Sequence, residues 1–219
     1  MFLQQPDVAI TDFLLMLEAI TLACLILQIK GKNKIRSSTF LFYISLALGS
    51  FIGGIVHGFF PESGSLVNFV LWKATMISLG LVTLFSWIIA GTILLPKRNK
   101  LIIFLASLEF VFYAVYTLFI NSDFKIAIYN YIPAILLLLI SFFYTCFKLK
   151  NYNSIFGIIG VVLTFIAAWI QQAQVSIHPI YFNYNALYHV IQAIAILLIF
   201  VSLRYIISTK EGKNEFKKN

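Results

Sequence analysis

A few polar and ionisable side chains stand out in an otherwise apolar chain, and their spacing is the first clue to chemistry. Asn185, His189 and Gln192 follow an i, i+4, i+7 pattern that puts them on one face of a helix. Ser45, Gly49, Gly53 and His57 recur at intervals of four, and Gly49 to Gly53 forms a GxxxG unit of the kind that lets a second helix backbone approach closely. Imidazole is a common metal ligand, and a catalytic zinc needs three protein ligands plus a water. His57 and His189 could supply two, with His178, Asp12 or Glu18 as the third. Such a centre would activate water for cleavage of a lipid amide or ester, with Asp12 or Glu18 as ligand or general base. A bis-histidine haem is disfavoured because both histidines lie near the same membrane face, and nothing else marks an electron-transfer chain. A retinal Schiff base would need a lysine in the last apolar segment, where none stands.

Each of these residues also has a plain structural reading. Lys73, next to Trp72, either extends to an interface or pairs with Asp12, Glu18 or Glu109. Glu109 could serve as hydrogen-bonded packing, Asp12 as a helix cap, His178 as a solvated loop residue, and His57 and His189 as structural hydrogen-bonders. Gln172 belongs with Gln171 and Gln174 in an amide cluster.

Composition says which elements must position these groups. Of 219 residues, 61% are hydrophobic and 11% charged, against about 45–50% and about 25% in soluble domains. A water-soluble enzyme is excluded, and 22 Phe with 11 Tyr exclude disorder. A bilayer core needs about 20 apolar residues per helix. Breaks in the apolar runs leave seven such segments, roughly 8–27, 39–60, 66–95, 101–120, 126–147, 154–175 and 186–207. The expected fold is an all-α bundle of seven transmembrane helices, followed by a basic tail over 208–219. The third segment is long enough to tilt or project. Pro133 is a tolerated kink in the fifth.

Charge orients the bundle. Lys30, Lys32, Lys34, Arg36, Lys97, Arg98, Lys100, Lys148, Lys150, Arg204, Lys210, Lys213, Lys217 and Lys218 all fall on one side, leaving Lys73 and Lys125 of the 16 basic residues. The positive-inside rule makes that side cytoplasmic and the N-terminus external. The net charge of +8 is therefore a topology signal, and no nucleic-acid partner is implied. The first apolar run follows no basic n-region and reads as a retained helix. Cys24 and Cys146 are not placed for an external disulfide. Trp169, Tyr181, Phe182, Tyr184 and Tyr188 suit an interfacial aromatic belt.

With this orientation, Asp12, Glu18, His57, Lys73, Glu109, Gln171, Gln172, Gln174, Asn185, His189 and Gln192 all lie in the outer half of the bundle. Ionisable groups within a span mark function by default. An outward-opening polar pocket built from six helices is the expectation.

The helix count, the external N-terminus, His57 ending the second helix and His189 opening the seventh resemble the superfamily of alkaline ceramidases and progestin/adiponectin-type receptors. That resemblance implies a zinc-dependent lipid hydrolase with His57 and His189 as ligands. Gly53 stands where that superfamily has a serine, Asn185 where it has the first histidine of a His-x-x-x-His pair, and Glu62 is the nearest acid after the second helix. The segments Gly53–Phe59 and Phe182–Gln192 are also similar to uncharacterised bacterial seven-helix membrane proteins, which implies a bacterial cytoplasmic membrane. That pattern has a histidine at the position of Tyr184 and an acid at that of Ala186, so this copy would have lost ligands.

Two functions remain open on these grounds. One is a metal-dependent hydrolase of a lipid amide or ester. The other is a non-catalytic seven-helix lipid or small-molecule binder, sensor or assembly protein. Transport ranks last, because seven spans do not divide into equal repeats. Oligomeric state is left open.

Overall fold

The computed structural model describes residues 3–31, 33–62 and 64–215, with side chains in the last helix as far as residue 209. Lys32, Lys217 and Lys218 lie outside the described residues, as do the side chains of Lys210 and Lys213. Among the described residues are seven helices long and apolar enough to cross a membrane. They are α1 (Pro6–Leu27), α2 (Lys34–Phe59), α3 (Leu66–Leu94), α4 (Asn99–Phe119), α5 (Phe124–Phe143), α6 (Ser154–Gln172) and α7 (Tyr184–Glu215).

The starts of these helices follow from local chemistry. Pro6 opens α1, where its missing N–H costs nothing. Asn33, Ser65 and Asp123 cap α2, α3 and α5 by accepting from the backbone N–H of Arg36, Asn68 and Lys125. Asn183 Oδ1 accepts from the N–H of Asn185 and of Ala186 at the start of α7. The far end of α1 is closed by Arg36, whose guanidinium donates to the carbonyls of Ile26, Leu27 and Gly31 at 3.2, 2.6 and 3.1 Å. A residue that sequence marks only as a topology charge thus also ties α2 to the end of α1.

Boundaries differ from the hydropathy segments at several ends. α1 begins two residues early, so Asp12 sits in its second turn and not at a cap. α6 stops at Gln172, and Gln174 adopts a left-handed backbone (φ 55°) in the following loop. α5 runs through Pro133 and ends in a wider turn over Tyr144–Lys148, where backbone bonds skip to the fifth residue. α7 continues helically to Glu215, into the segment read from sequence as a basic tail.

Packing order is the main architectural fact. α1, α2, α3, α5, α6 and α7 contact one another in that sequence, and α7 closes back onto α1. α4 stands outside this ring against α3 and is the least buried of the seven. Tyr113 holds it there, donating from Oη to the Met76 carbonyl at 3.0 Å, with its ring lying over Gly80. The apolar core fills the half of the ring nearer the basic loops, around Ile26, Phe42, Tyr43, Ile89, Phe142, Ile199 and Leu203. Tyr43 is fully buried and spends its hydroxyl on the Ile196 carbonyl at 2.8 Å.

Glycine sets the closest approaches. On α2 the face toward α1 is Gly53, Gly54 and Gly58, whereas Gly49 faces Ser78 and Leu79 of α3. The two glycines of the GxxxG unit therefore meet different helices. The tightest backbone approach is between α6 and α7, where a Cβ on Gly160 would stand 2.6 Å from the Ala195 carbonyl oxygen.

Candidate functional site

The half of the ring away from the basic loops is not filled. A cavity of about 120 Å³ is lined by residues from all six ring helices. Its polar wall comprises Asp12 of α1, Ser50 and His57 of α2, Trp72 and Thr75 of α3, Gln171 of α6, and Asn185, Tyr188, His189 and Gln192 of α7. The i, i+4, i+7 stripe of α7 thus faces this space along its whole length.

At the seam between α1 and α7, His189 Nε2 lies 3.3 Å from Asp12 Oδ1, and both residues are buried. His189 Nδ1 lies 3.0 Å from Thr11 Oγ1. The Thr11 hydroxyl also lies 2.8 and 3.0 Å from the carbonyls of Asp7 and Val8; with its one hydrogen on either of these, Nδ1 is the donor to Oγ1. With Nδ1 protonated, Nε2 and Oδ1 would set two lone pairs face to face unless a proton lies between them. One proton between them would relieve this and leave Asp12 and His189 neutral as a pair, whichever atom carries it. The other carboxylate oxygen rests against α2 at Gly53, where a Cβ would stand 3.2 Å from Oδ2, closer than an ordinary contact.

Across the cavity, His57 Nδ1 donates to Gln5 Oε1 at 2.8 Å. Its Nε2 is the nitrogen left to whatever enters. Gln4 N–H donates to the Gly58 carbonyl, which ties the chain before α1 to the end of α2 and holds Gln5 in reach. Gln171 Nε2 donates to Asn185 Oδ1 at 3.3 Å, bridging α6 to α7. The loop from α6 to α7 is anchored by Asp7, whose Oδ2 accepts from the Asn183 N–H at 2.9 Å.

Several residues singled out from sequence stand elsewhere. Glu18 is not on the cavity wall; it follows Asp12 by six residues, about 9 Å along α1. Lys73 pairs with none of Asp12, Glu18 and Glu109. Its ammonium donates to the Leu118 carbonyl near the end of α4 and lies over the Phe69 ring. Glu109 faces a separate cleft between α4 and α5, because α4 is outside the ring. Gln172 points away and donates to its neighbour Gln171, which is the amide that reaches the cavity. His178 lies in the exposed loop, where its Nδ1 accepts from the N–H groups of Ile180 and Tyr181. Tyr188, expected in an interfacial belt, lines the interior. Gln5 and Thr11 escape a sequence reading because neither sits at a telling spacing.

The donor set can be tested against zinc. Among the described residues no group of three or more His, Cys, Asp or Glu side chains is arranged to hold a metal. Nε2 of His189 faces Asp12, Nδ1 of His57 holds Gln5, and neither Glu18 nor His178 reaches the wall. The residues present do not fit a three-ligand centre.

The same ring, seam and cavity lie within the stretch from residue 8 to residue 208, which matches the model of a family of unknown function, DUF6962. The chain belongs to that family. No curated protein and no solved structure matches it. In this DUF6962 member the resemblance to zinc-dependent lipid hydrolases rests on helix count and on His57 and His189. Those two residues share a cavity here, each already engaged through a ring nitrogen by a neighbour that is not a metal.

Proposed function

We propose that this DUF6962 member is an integral protein of a bacterial cytoplasmic membrane, with its N-terminus outside, that binds a small hydrogen-bonding molecule in the cavity of its helical ring. The membrane reading is supported by seven apolar helices, and the orientation by the basic residues gathered at the ends opposite the cavity. The binding reading is carried by one observation. The Asp12–His189 pair stands with Ser50, His57, Thr75, Gln171, Asn185 and Gln192 around a space that core residues do not fill. Polar groups gathered in a mostly apolar interior are costly unless they have partners, and convergent ones mark a binding site.

A second reading is favoured by the free Nε2 of His57. That nitrogen would take a proton from water while the Asp12–His189 pair returned one to a leaving group, hydrolysing a lipid ester or amide without a metal.

The test is the small-molecule content of protein purified in native membrane patches. Wild type is expected to carry a near-stoichiometric compound that is absent from the Asp12→Asn/His189→Gln double variant. Identical content in the two would refute the binding site.

A further inference from the structure

Beneath the polar cavity lies a second one of about 70 Å³, lined by Phe42, Val82, Ile128, Tyr131, Ile135 and Phe165 among others. The two share Leu46, Leu79, Phe124, Tyr188 and Gln192 as wall residues, so they adjoin. One is rimmed by hydrogen-bonding groups and the other almost wholly by hydrocarbon and aromatic rings. Along α5, the lower chamber extends to Ile135, eleven residues past Phe124, or about 16 Å. Lining spread over that length of helix is more than a polar head alone would touch. α5 and α6 supply much of its wall, and these consecutive helices pack on each other far less than α1 on α2 or α6 on α7.

We infer that the ligand is an uncharged single-chain amphiphile, with its head against Asp12, His57 and His189 and its chain in the chamber walled by Tyr131, Ile135 and Phe165. The inference rests on the polar cavity being a binding site and specifies what that site takes.

The uncharged head follows from the wall chemistry. With one proton shared between them Asp12 and His189 cancel, His57 is tied through Nδ1 to a neutral amide, and the remaining polar lining is amide, hydroxyl and indole. Lys73 spends its charge on the Leu118 carbonyl and is not part of the wall. A carboxylate or ammonium head would enter with no counter-charge in a water-poor interior. A head such as a glycerol ester or a hydroxyalkyl amide, which both donates and accepts, finds partners throughout. The chain gains the burial that the chamber's apolar wall offers.

The experiment uses the full-length chain in nanodiscs and a clickable diazirine monoacylglycerol, with adducts mapped by mass spectrometry. Parallel probes carry the same chain on a carboxylate or an amine, and a fourth is a chainless glyceryl diazirine. Saturable labelling by the neutral probe on α5 and α6 near Ile132 and Phe165 is expected. Filling the chamber with Ala168→Trp should reduce it about tenfold, equivalent to about 1.4 kcal/mol, while chainless labelling persists. Ala127→Leu, a milder filling change, decides the matter if Ala168→Trp fails to fold. Labelling that is indifferent to chain and to both filling variants would overturn the tail chamber and leave the polar site standing. Equal or better competition by the anionic or cationic probe would overturn the uncharged head. Absence of saturable labelling by every probe would remove the polar site and this inference together.

Discussion

Asp12 Oδ1 and His189 Nε2 stand 3.3 Å apart across the seam where the first and last helices of the ring meet. The pair joins the first and last helices of the ring and forms part of the cavity wall, so packing and the proposed site meet at the same two atoms.

Removing either partner leaves the other buried without its neighbour. Asp12→Ala and His189→Ala should each lower stability by about 2 kcal/mol. The double variant should cost less than the sum by about 1 kcal/mol, as expected for groups in direct contact. Thermal or denaturant unfolding in detergent measures the cycle. Simple additivity would mean that the two are not coupled.

The glycines make a sharper contrast than their shared type suggests. Gly160→Ala drives a methyl to 2.6 Å from the Ala195 carbonyl oxygen, and backbone cannot step aside. A loss of about 2–3 kcal/mol is expected there. Gly49→Ala meets Ser78 Cβ at 3.4 Å, an ordinary contact, and should stay within about 0.5 kcal/mol of wild type. Melting temperatures of the two variants, compared side by side, check the ranking.

Arg36 separates charge from geometry. Arg36→Lys keeps the positive charge at that end of the bundle and loses the planar fork that reaches three carbonyls of the α1 terminus. Stability should fall by about 1 kcal/mol with topology unchanged. A lysine variant as stable as wild type would show that the fork contributes nothing beyond charge.

Elemental analysis addresses zinc. Protein purified without chelator is expected to carry no stoichiometric zinc, and chelation should leave its melting temperature unchanged. One equivalent of zinc, lost in a His57→Ala/His189→Ala variant, would reverse the donor assignment.

The helices were legible in the sequence, because apolar runs long enough to cross a bilayer are separated by polar and charged breaks. The seven helices and the polar face of α7 follow from those constraints and from helical period alone. What periodicity does not encode is which helices are neighbours. Six polar helices were expected around the pocket, including α4. The ring instead takes in α5, through Phe124, and leaves α4 and Glu109 outside. Lys73 could not be assigned beforehand, because its partner is a backbone carbonyl at the end of another helix. Thr11 and Gln5 are unremarkable in sequence, and only the seam and the segment before α1 give them roles.

The most direct test of the central claim is access to Gln192, whose side chain lies on the shared wall of both cavities. With Cys24 replaced by serine, Gln192→Cys should react with a small membrane-impermeant thiol reagent applied to the external face of intact cells. Ile196→Cys, one turn further along α7 and fully buried, should not react. Reaction of Gln192→Cys only from the cytoplasmic face, or from neither face, would contradict an outward-opening site.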